Sequence, residues 1–274
     1  MQDNAGRSVL RAQPEFFRAT ERIRGKMQSG IHASRVRRHL EWLAPVLALE
    51  EQQIVNTTVR FIQYLEELRG QPLGGVNVEK LYTYRVPAID PDGCSRLDGS
   101  LAAEPYDLRK VMGLQSGNGL LSKPQTRQLF LLDRLVERVT EETSVHWLGF
   151  YQRRTVGPDT EALVKLAYRG TESRAEFPLT REFARKSNNT TVGLTGKGII
   201  INDIERYLWE QGGPYYQCDS KVHSEACLPI FSGDGEEVIG IVDAESYERN
   251  KFSVRELTTL VATAIVLEDL IVPV

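Results

Sequence analysis

Cysteine, histidine and tryptophan are all scarce in this chain of 274 residues, which has three, four and three of them. An odd and low cysteine count excludes a disulfide-stapled scaffold and is typical of a reducing compartment, so we expect a cytoplasmic protein. The histidines are scattered and no zinc-ligand spacing occurs, so no metal site is expected. The glycine-rich loops that bind nucleotides and the nucleophile elbow of serine hydrolases are absent too.

Long apolar runs are also missing. The most apolar stretch, residues 257–272, carries Thr258, Thr259, Glu268 and Asp269, which excludes a membrane span. The polar start, MQDNAGRS, lacks the apolar segment of a secretory signal. With a net charge of −3, the chain as a whole offers no electrostatic case for a nucleic-acid partner.

Positive charge is nevertheless concentrated near the start. Residues 7–38 contain nine Lys and Arg residues against Glu15 and Glu21. We interpret this segment as a solvated basic arm or helix face; a contact with phosphate or a membrane surface is the alternative. We expect residues 1–33 to form this arm, residues 34–121 a helical extension and turn-rich connector, and residues 122–274 a separate domain.

The extension is predicted to be helical over residues 34–69. Pro45 should interrupt the helix. After it, apolar residues recur at helical spacing until Gly70. These helices pack beside the main domain or mediate a homodimer. Residues 70–121 are rich in turns, with a short strand near residues 82–86.

The second half predicts an α+β fold, an antiparallel sheet with helices packed on one face. Capping boxes at Ser122/Gln125 and Ser253/Glu256 indicate the starts of its two long helices. The predicted strands cover residues 146–151, 162–168, 198–201, 226–231 and 238–243.

Chemistry-bearing residues are densest between 217 and 246. Asp243 and Glu245 lie two apart, so in a strand their side chains share one face. Glu225 begins the neighbouring strand, and Cys218 precedes it in a loop. Three carboxylates under a thiol would form a polar cup for a small ligand with an ammonium group. An aromatic wall of Trp147 and Tyr151 is expected to cover the apolar part of that ligand.

Each of these residues also has a structural interpretation. For the paired acids the alternative is exposure to solvent or pairing with Lys or Arg, and for the two aromatics it is a place in the core. Cys227, between Ala226 and Leu228, has the surroundings of a buried core thiol. Cys218 lies among polar residues, and His223 could lower the pKa of its thiol or simply be exposed.

Five short motifs occur in the order W-L-G-F-Y (147–151), G-x-x-G (193–196), C-D (218–219), S-E-x-x-x-P (224–229) and I-G-I-V-D-A-E-S (239–246). In this set and order the chain resembles the GAF domain, and within that superfamily the free methionine-(R)-sulfoxide reductases. The similarity covers roughly residues 122–272. The resemblance implies a GAF-like antiparallel sheet flanked by helices, with an N-terminal helical extension.

The resemblance also implies residue roles. Cys218 would be the nucleophile that attacks the sulfoxide sulfur, releases methionine and becomes a sulfenic acid. Glu225, Asp243 and Glu245 would hold the free amino acid and help to protonate the sulfoxide oxygen. Trp147 and Tyr151 would pack around the thioether carbons. No tightly bound cofactor is implied, and the partners are the small substrate and a thiol reductant such as thioredoxin, without nucleic acid or membrane.

One departure from the family pattern concerns regeneration. Thr195 stands where a resolving cysteine is expected, so the sulfenic acid would need Cys227, Cys94 or an external thiol. The alternative function is a non-catalytic GAF sensor that binds a small amino-acid-like ligand and signals through the N-terminal helices.

Overall fold

The computed structural model describes residues 31–43, 49–90, 95–96, 98–114, 119, 123–211 and 219–271. Predictions about residues 1–30, Pro45, Cys94, Ser122 and Cys218 therefore lie outside the described residues. The helices are α1 (Ile31–Leu43), α2 (Glu51–Arg69), α3 (Val78–Tyr82), α4 (Leu108–Val111), α5 (Pro124–Thr143), α6 (Arg181–Ala184), α7 (Asn188–Thr195), α8 (Ile204–Gln211) and α9 (Val254–Leu270). The strands are β1 (Thr83–Tyr84), β2 (Tyr106–Asp107), β3 (Trp147–Gly157), β4 (Thr160–Arg169), β5 (Glu176–Pro178), β6 (Ile199–Ile201), β7 (Ser224–Phe231) and β8 (Val238–Ser246).

A six-stranded antiparallel sheet forms the centre of the fold. Its strand order is β5-β4-β3-β8-β7-β6, so the chain's first hairpin, β3–β4, pairs with its last, β7–β8. Strands β3, β4, β7 and β8 extend the predicted segments by up to six residues, and β5 was not predicted. The α+β fold class is confirmed.

One face of the sheet packs against the long helices. The predicted apolar face of α5 is buried, and α2 buries its own predicted face against α5 and α9. The opposing residues of the sheet, which alternate along their strands, include Leu148, Phe150, Leu228 and Val242. Helix α9 is buried over most of its length, and its threonines are accommodated because their hydroxyls donate to carbonyls one turn earlier, as Thr258 does to Val254 at 2.7 Å.

Helices also cover the other face, which corrects the prediction that all helices pack on one face. Phe183 of α6 and Val192 of α7 pack with Trp147, Tyr151 and Cys227 in a second apolar cluster. These helices are four and eight residues long and follow a strand of three residues, so their local apolar periodicity is too short to detect in sequence. They matter because they roof the face that carries the candidate site.

The two capping predictions have different outcomes. At α9, Ser253 and Glu256 form the reciprocal capping box, with the Ser253 backbone N–H donating to the Glu256 carboxylate at 3.2 Å. At α5 the N-cap is Lys123, which makes no side-chain capping bond, and the predicted capping residue Ser122 lies outside the described residues. Pro124 begins that helix, because its missing N–H would have no intrahelical partner there.

The basic segment is not wholly solvated, which corrects our interpretation for Arg35. Arg35 is 2% exposed and lies between α1 and α9. Its Nε is 3.0 Å from a Glu268 oxygen, and its Nη1 donates to Asp269 at 2.7 Å. His39 lies 3.7 Å from the other Glu268 oxygen. A buried charge cluster therefore holds α1 against the last helix of the domain.

The connector has its own structure and reaches the sheet. Strands β1 and β2 pair, and Tyr84 stacks on Tyr106 with ring centroids 5.5 Å apart. The Tyr84 hydroxyl donates to the Lys165 carbonyl of β4 at 2.7 Å, and the Tyr106 hydroxyl bonds to Glu176 of β5. None of the helices in the described ranges combines the length and hydropathy needed to cross a bilayer.

Candidate functional site

Strand register brings the three predicted carboxylates to one face of the sheet. Glu225 of β7 is the direct cross-strand partner of Glu245 of β8, and Asp243 lies opposite Cys227. Directly paired residues point to the same face, and residues two apart on one strand do so as well. Glu225, Asp243 and Glu245 thus share the face roofed by α6 and α7, with Glu225 and Asp243 only 4% and 2% exposed.

The start of α7 supplies the hydrogen bonds to these carboxylates. Asn189 Nδ2 donates to Asp243 Oδ2 at 2.8 Å, and Asn188 Nδ2 lies 3.3 Å from both Glu225 oxygens. Ser187 caps the helix by accepting from the Thr190 N–H, which fixes the two asparagines over the sheet. Sequence analysis missed them, because nothing local indicates that they meet strands about forty residues later.

Two buried acceptors in this cluster have no hydrogen-bond partner among the described residues. They are Asp243 Oδ1 and Asn189 Oδ1. An unpaired buried polar atom costs roughly 1–3 kcal/mol, so such atoms are rare outside functional sites. Asn189 Oδ1 is an acceptor, and so is Asp243 Oδ1 when the carboxyl is ionised, so a group that satisfies both atoms in that state is a donor.

Burial and mutual repulsion hold protons in the cluster. The pKa of Asp243 is raised well above its ordinary value by burial and by the Glu225 charge, although the Asn189 hydrogen bond opposes the shift. The pKa of half-buried Glu245 is raised by desolvation and by Asp243, Glu225 and Asp219. The cluster therefore retains protons to a higher pH than isolated carboxyls do.

Trp147 forms one wall of the site and lies flat along the sheet. It is the cross-strand partner of Glu245, and its indole N–H donates to the Thr171 carbonyl at 3.1 Å. The ring lies across Gly149 and against Gly170, where a Cβ atom would collide with it. Gly170 also has a φ of +120°, which disfavours other residues. The two glycines therefore fix the indole orientation.

Tyr151 lies deeper on the same face. It is 1% exposed, and its hydroxyl donates to the Arg174 carbonyl at 3.2 Å. Trp147 is 3% exposed. The two interpretations of these aromatics are therefore compatible, since both side chains are packed in an apolar cluster and both border the carboxylates.

Lys165 is a buried cation that sequence analysis did not select. It is 0% exposed and is the cross-strand partner of Tyr151. Its ammonium donates to the Ser173 carbonyl at 2.8 Å and to the Ser173 hydroxyl at 2.7 Å. The sequence did contain a signal, because Lys165 stands in the middle of the apolar run A-L-V-K-L-A-Y. A lysine that is buried in such a strand nearly always has a specific partner.

The loop expected above the carboxylates is described only from Asp219 onward. Cys218 directly precedes Asp219, whose carboxylate accepts from the Tyr247 hydroxyl at 3.0 Å and raises the pKa of Glu245. Tyr247 in turn stacks on His146 at 4.4 Å. His223, at the start of β7, is half-buried, and its backbone bonds to Ser246 and Ile204.

Cys227 is a fully buried thiol on the site face. Burial raises its pKa well above the ordinary value, and Asp243, Glu225 and Glu245 raise it further. The core-thiol interpretation is confirmed. Because the thiolate is the nucleophile in disulfide exchange, these surroundings disfavour Cys227 as a resolving cysteine, a role that stays a prediction.

Thr195 lies away from the carboxylates. It occupies the last position of α7 and is exposed, and its hydroxyl donates to the Thr191 carbonyl at 2.8 Å. The asparagines that contact the carboxylates begin the same helix, so about 10 Å of helix separates them from Thr195. A thiol at this position would not lie beside the cluster.

Asp243→Asn is expected to stabilise the protein at neutral and alkaline pH. The raised pKa means that the folded state binds more protons than the unfolded state, so stability falls as pH rises from about 4 through the folded-state value. The neutral amide escapes this loss, and we expect a gain of about 1–2 kcal/mol at pH 8 and about zero at pH 4. Urea unfolding at both pH values measures it.

The matched control is Asp159→Asn at an exposed turn with φ +56°, which asparagine tolerates. This variant should stay within about 0.5 kcal/mol of the wild type at both pH values. Equal stability of Asp243→Asn and wild type at pH 8 would contradict the assignment of a costly buried charge.

Across the ranges that the structure describes, no group of three or more His, Cys, Asp or Glu side chains has the arrangement of metal ligands. Asparagine amides contact Asp243 and Glu225, and the charge of buried Lys165 acts on Asp243 and Glu245.

Three solved structures are among those to which this chain is similar. A structure of type II free methionine-R-sulfoxide reductase from Thermoplasma acidophilum is 19% identical, covers 53% of this chain and 93% of its own, and has a TM-score of 0.44. Free methionine-R-sulfoxide reductase from Neisseria meningitidis, in complex with its substrate, is 22% identical with 52% and 77% coverage and a TM-score of 0.43. The GAF domain of Acinetobacter phosphoenolpyruvate-protein phosphotransferase is 15% identical with 52% and 80% coverage and a TM-score of 0.40.

No curated protein matches the sequence. The family model described as GAF domain matches residues 130–269, slightly more than half of the chain. That range begins within α5 and ends within α9, so it contains the whole six-stranded sheet and most of these two helices. The chain therefore belongs to the GAF domain family.

Proposed function

We propose that this protein reduces free L-methionine (R)-sulfoxide to methionine, with Cys218 as the nucleophile. The observation that carries the proposal is the buried carboxylate cluster with its two unpaired acceptors, Asp243 Oδ1 and Asn189 Oδ1. The ammonium group of a free amino acid supplies the donors that both atoms lack. A methionine residue inside a protein has no such group.

The aromatic wall suits the remainder of this substrate. Trp147 lies opposite Glu245 and presents an apolar ring beside the carboxylates. Thioether carbons pack favourably against aromatic rings. An ammonium held at the carboxylates would thus direct the sulfur-bearing end of the side chain along the indole and toward the loop that contains Cys218.

The first chemical step transfers oxygen from substrate to enzyme. The Cys218 thiolate attacks the sulfoxide sulfur, the sulfoxide oxygen takes a proton, and the sulfur–oxygen bond breaks as the oxygen passes to the cysteine. The products are methionine and a Cys218 sulfenic acid. The substrate sulfur is reduced by two electrons and the cysteine sulfur is oxidised by two.

The carboxylate cluster is suited to deliver that proton. Because the pKa values of Asp243 and Glu245 are raised, one carboxyl can donate a proton near neutral pH while another stays ionised and holds the ammonium. This division of labour needs at least two neighbouring acidic groups, and the cluster has three, since Asp243 and Glu245 lie two apart on β8 and Glu225 lies opposite Glu245 on β7.

Regeneration requires an external dithiol. The Cys218 sulfenic acid and one thiol of the reductant form a mixed disulfide and water, and the second thiol then releases the Cys218 thiol and leaves the reductant as a disulfide. Cys227 has a raised pKa and Thr195 is exposed away from the cluster. We therefore propose a thioredoxin-like protein as the reductant.

A turnover assay tests the proposal. NADPH oxidation is followed with thioredoxin and thioredoxin reductase, using the full chain and three substrates: free (R)-sulfoxide, free (S)-sulfoxide, and the (R)-sulfoxide with its amine acetylated. We expect turnover of the first and background rates with the other two, because acetylation removes the ammonium. Dithiothreitol with direct methionine detection serves as a second reductant. Absence of turnover with both reductants would refute the proposal.

The second candidate is a binding module without catalysis. It is favoured by the lack of a described cysteine suited to resolve a sulfenic acid. In that case free methionine or its sulfoxide would raise the melting temperature, since a ligand that binds only the folded state stabilises it. The same stabilisation without turnover would identify this alternative.

A further inference from the structure

Lys165 occupies an aromatic cage that the proposed function does not use. Its ammonium lies 4.0 Å from the ring centroid of Tyr168, 4.9 Å from that of Tyr84 and 5.8 Å from that of Trp147. Tyr84 comes from β1, in the connector that precedes the GAF domain. The cage is therefore assembled from the sheet and from the N-terminal extension together.

A fully buried lysine is costly unless its charge does something specific. Moving an ammonium out of water is offset here by two hydrogen bonds to Ser173 and by the faces of three rings. An uncharged side chain such as methionine would fill the same volume without that cost. The free-energy cost of burying this charge therefore indicates an electrostatic role for Lys165.

The neighbouring negative charges are the carboxylates of the site. Lys165 is on β4, Trp147 is on the adjacent β3, and Asp243 and Glu245 are on β8, the next strand. Two strand spacings amount to about 10 Å, and the lysine charge acts on both carboxyls by lowering their pKa values against burial. The titratable groups around the cage are Tyr84, Tyr168, Glu176, Glu225, Asp243 and Glu245.

We propose that Lys165 is a positioning residue that balances the negative charge of Glu225, Asp243 and Glu245, so that the cluster binds an ammonium group as an anion. The inference rests on the proposed function for its ligand. It adds a consequence for the extension, because Tyr84 closes the cage and its hydroxyl bonds to the Lys165 carbonyl. Without the internal cation, three carboxyls in one buried cluster would take up protons and lose their attraction for the substrate amine.

The test compares Lys165→Met with wild type in two measurements. Carboxyl-carbon NMR titration, assigned with Asp243→Asn, should show the Asp243 and Glu245 midpoints about one pH unit higher in Lys165→Met, as expected for loss of a unit charge about 10 Å away. Calorimetric affinity for L-methionine should fall about tenfold at pH 7. The difference in methionine affinity between the two proteins should disappear or reverse at pH 8.5, because the carboxyls are more fully ionised in both proteins at the higher pH.

A merely structural role would lower affinity equally at both pH values and leave the titration midpoints unchanged, and that result would overturn the proposal. Lys197→Met, which removes an exposed charge just after α7, is the matched control and should change neither measurement. Lys165→Arg keeps the charge and should retain the wild-type midpoints. If Lys165→Met does not fold, Lys165→Gln is titrated instead.

Failure of the proposed function gives a different pattern. If wild type binds no methionine but the midpoints still rise in Lys165→Met, the charge-balancing role stands and the ligand assignment falls. If wild type binds methionine and the midpoints stay within about 0.3 unit, Lys165 is a structural residue and the ligand assignment stands.

Discussion

Cys218→Ser is expected to reduce turnover of free methionine (R)-sulfoxide to background, a loss of at least about 1,000-fold. A serine hydroxyl is not ionised near neutral pH and is a far weaker nucleophile than a thiolate, and its oxygen cannot accept a second oxygen as a sulfenic acid does. Binding of L-methionine should change by less than about twofold, because the carboxylate cluster that holds the ammonium is intact. NADPH-coupled turnover and calorimetry measure the two effects.

Two controls separate chemistry from structure in this experiment. Ser220→Ala changes an exposed residue of the same loop and should keep wild-type turnover. Wild type exposed to substrate without reductant should carry one additional oxygen on Cys218, which a sulfenic-acid-specific reagent traps for mass spectrometry. Turnover that survives Cys218→Ser would remove this cysteine from the mechanism whatever the fate of the carboxylates.

Arg35→Met is expected to cost about 3–5 kcal/mol of unfolding free energy. The substitution leaves the Glu268 carboxylate, whose side chain is 0% exposed, without the cation 3.0 Å away, and it also removes the bonds to Asp269. Burial raises the pKa of Glu268 above its ordinary value, although His39 and Arg35 oppose the rise. The deficit should therefore shrink at acid pH, where the carboxyl is protonated. Urea unfolding at pH 5 and pH 8 measures it.

A nearby surface arginine, Arg37, is the control for the stability cost of Arg35→Met. Arg37 has a side chain that is 70% exposed and lies 3.9 Å from Glu51, so Arg37→Met should cost less than about 0.5 kcal/mol. The double variant Arg35→Met/Glu268→Leu should recover most of the loss, since it removes the stranded charge as well. A cost below about 1 kcal/mol for Arg35→Met would show that α1 does not depend on this cluster.

Sequence periodicity was sufficient for residues whose environment repeats along one element. The buried face of α2 and the shared face of Asp243 and Glu245 follow from spacings of 3.6 and 2 residues. The same reasoning placed Glu225 at the start of the adjacent strand, because residues 226–231 and 238–243 were predicted to form a strand pair. Short-range patterns therefore predicted most of the sheet and the acidic half of the site.

Residues that depend on distant contacts could not be predicted in this way. Asn188 and Asn189 bond to strands β7 and β8, and Arg35 meets Glu268 more than two hundred positions later. Lys165 belongs to a cage whose third ring comes from another segment of the chain. Asn189 and Arg35 look solvated in sequence, and only tertiary placement shows that they are buried. For Lys165 the apolar run around it was a signal of burial, but its partners could not be predicted.

Because Cys227 is buried in the middle of β7, its reaction with a thiol reagent reports how often the sheet opens. Alkylating reagents need a thiolate in contact with solvent, and Cys227 offers neither in the closed fold. Its modification rate in native buffer, followed by peptide mass spectrometry, therefore reports the free energy of opening at the centre of the molecule. Any variant discussed above can be ranked on that scale without denaturant.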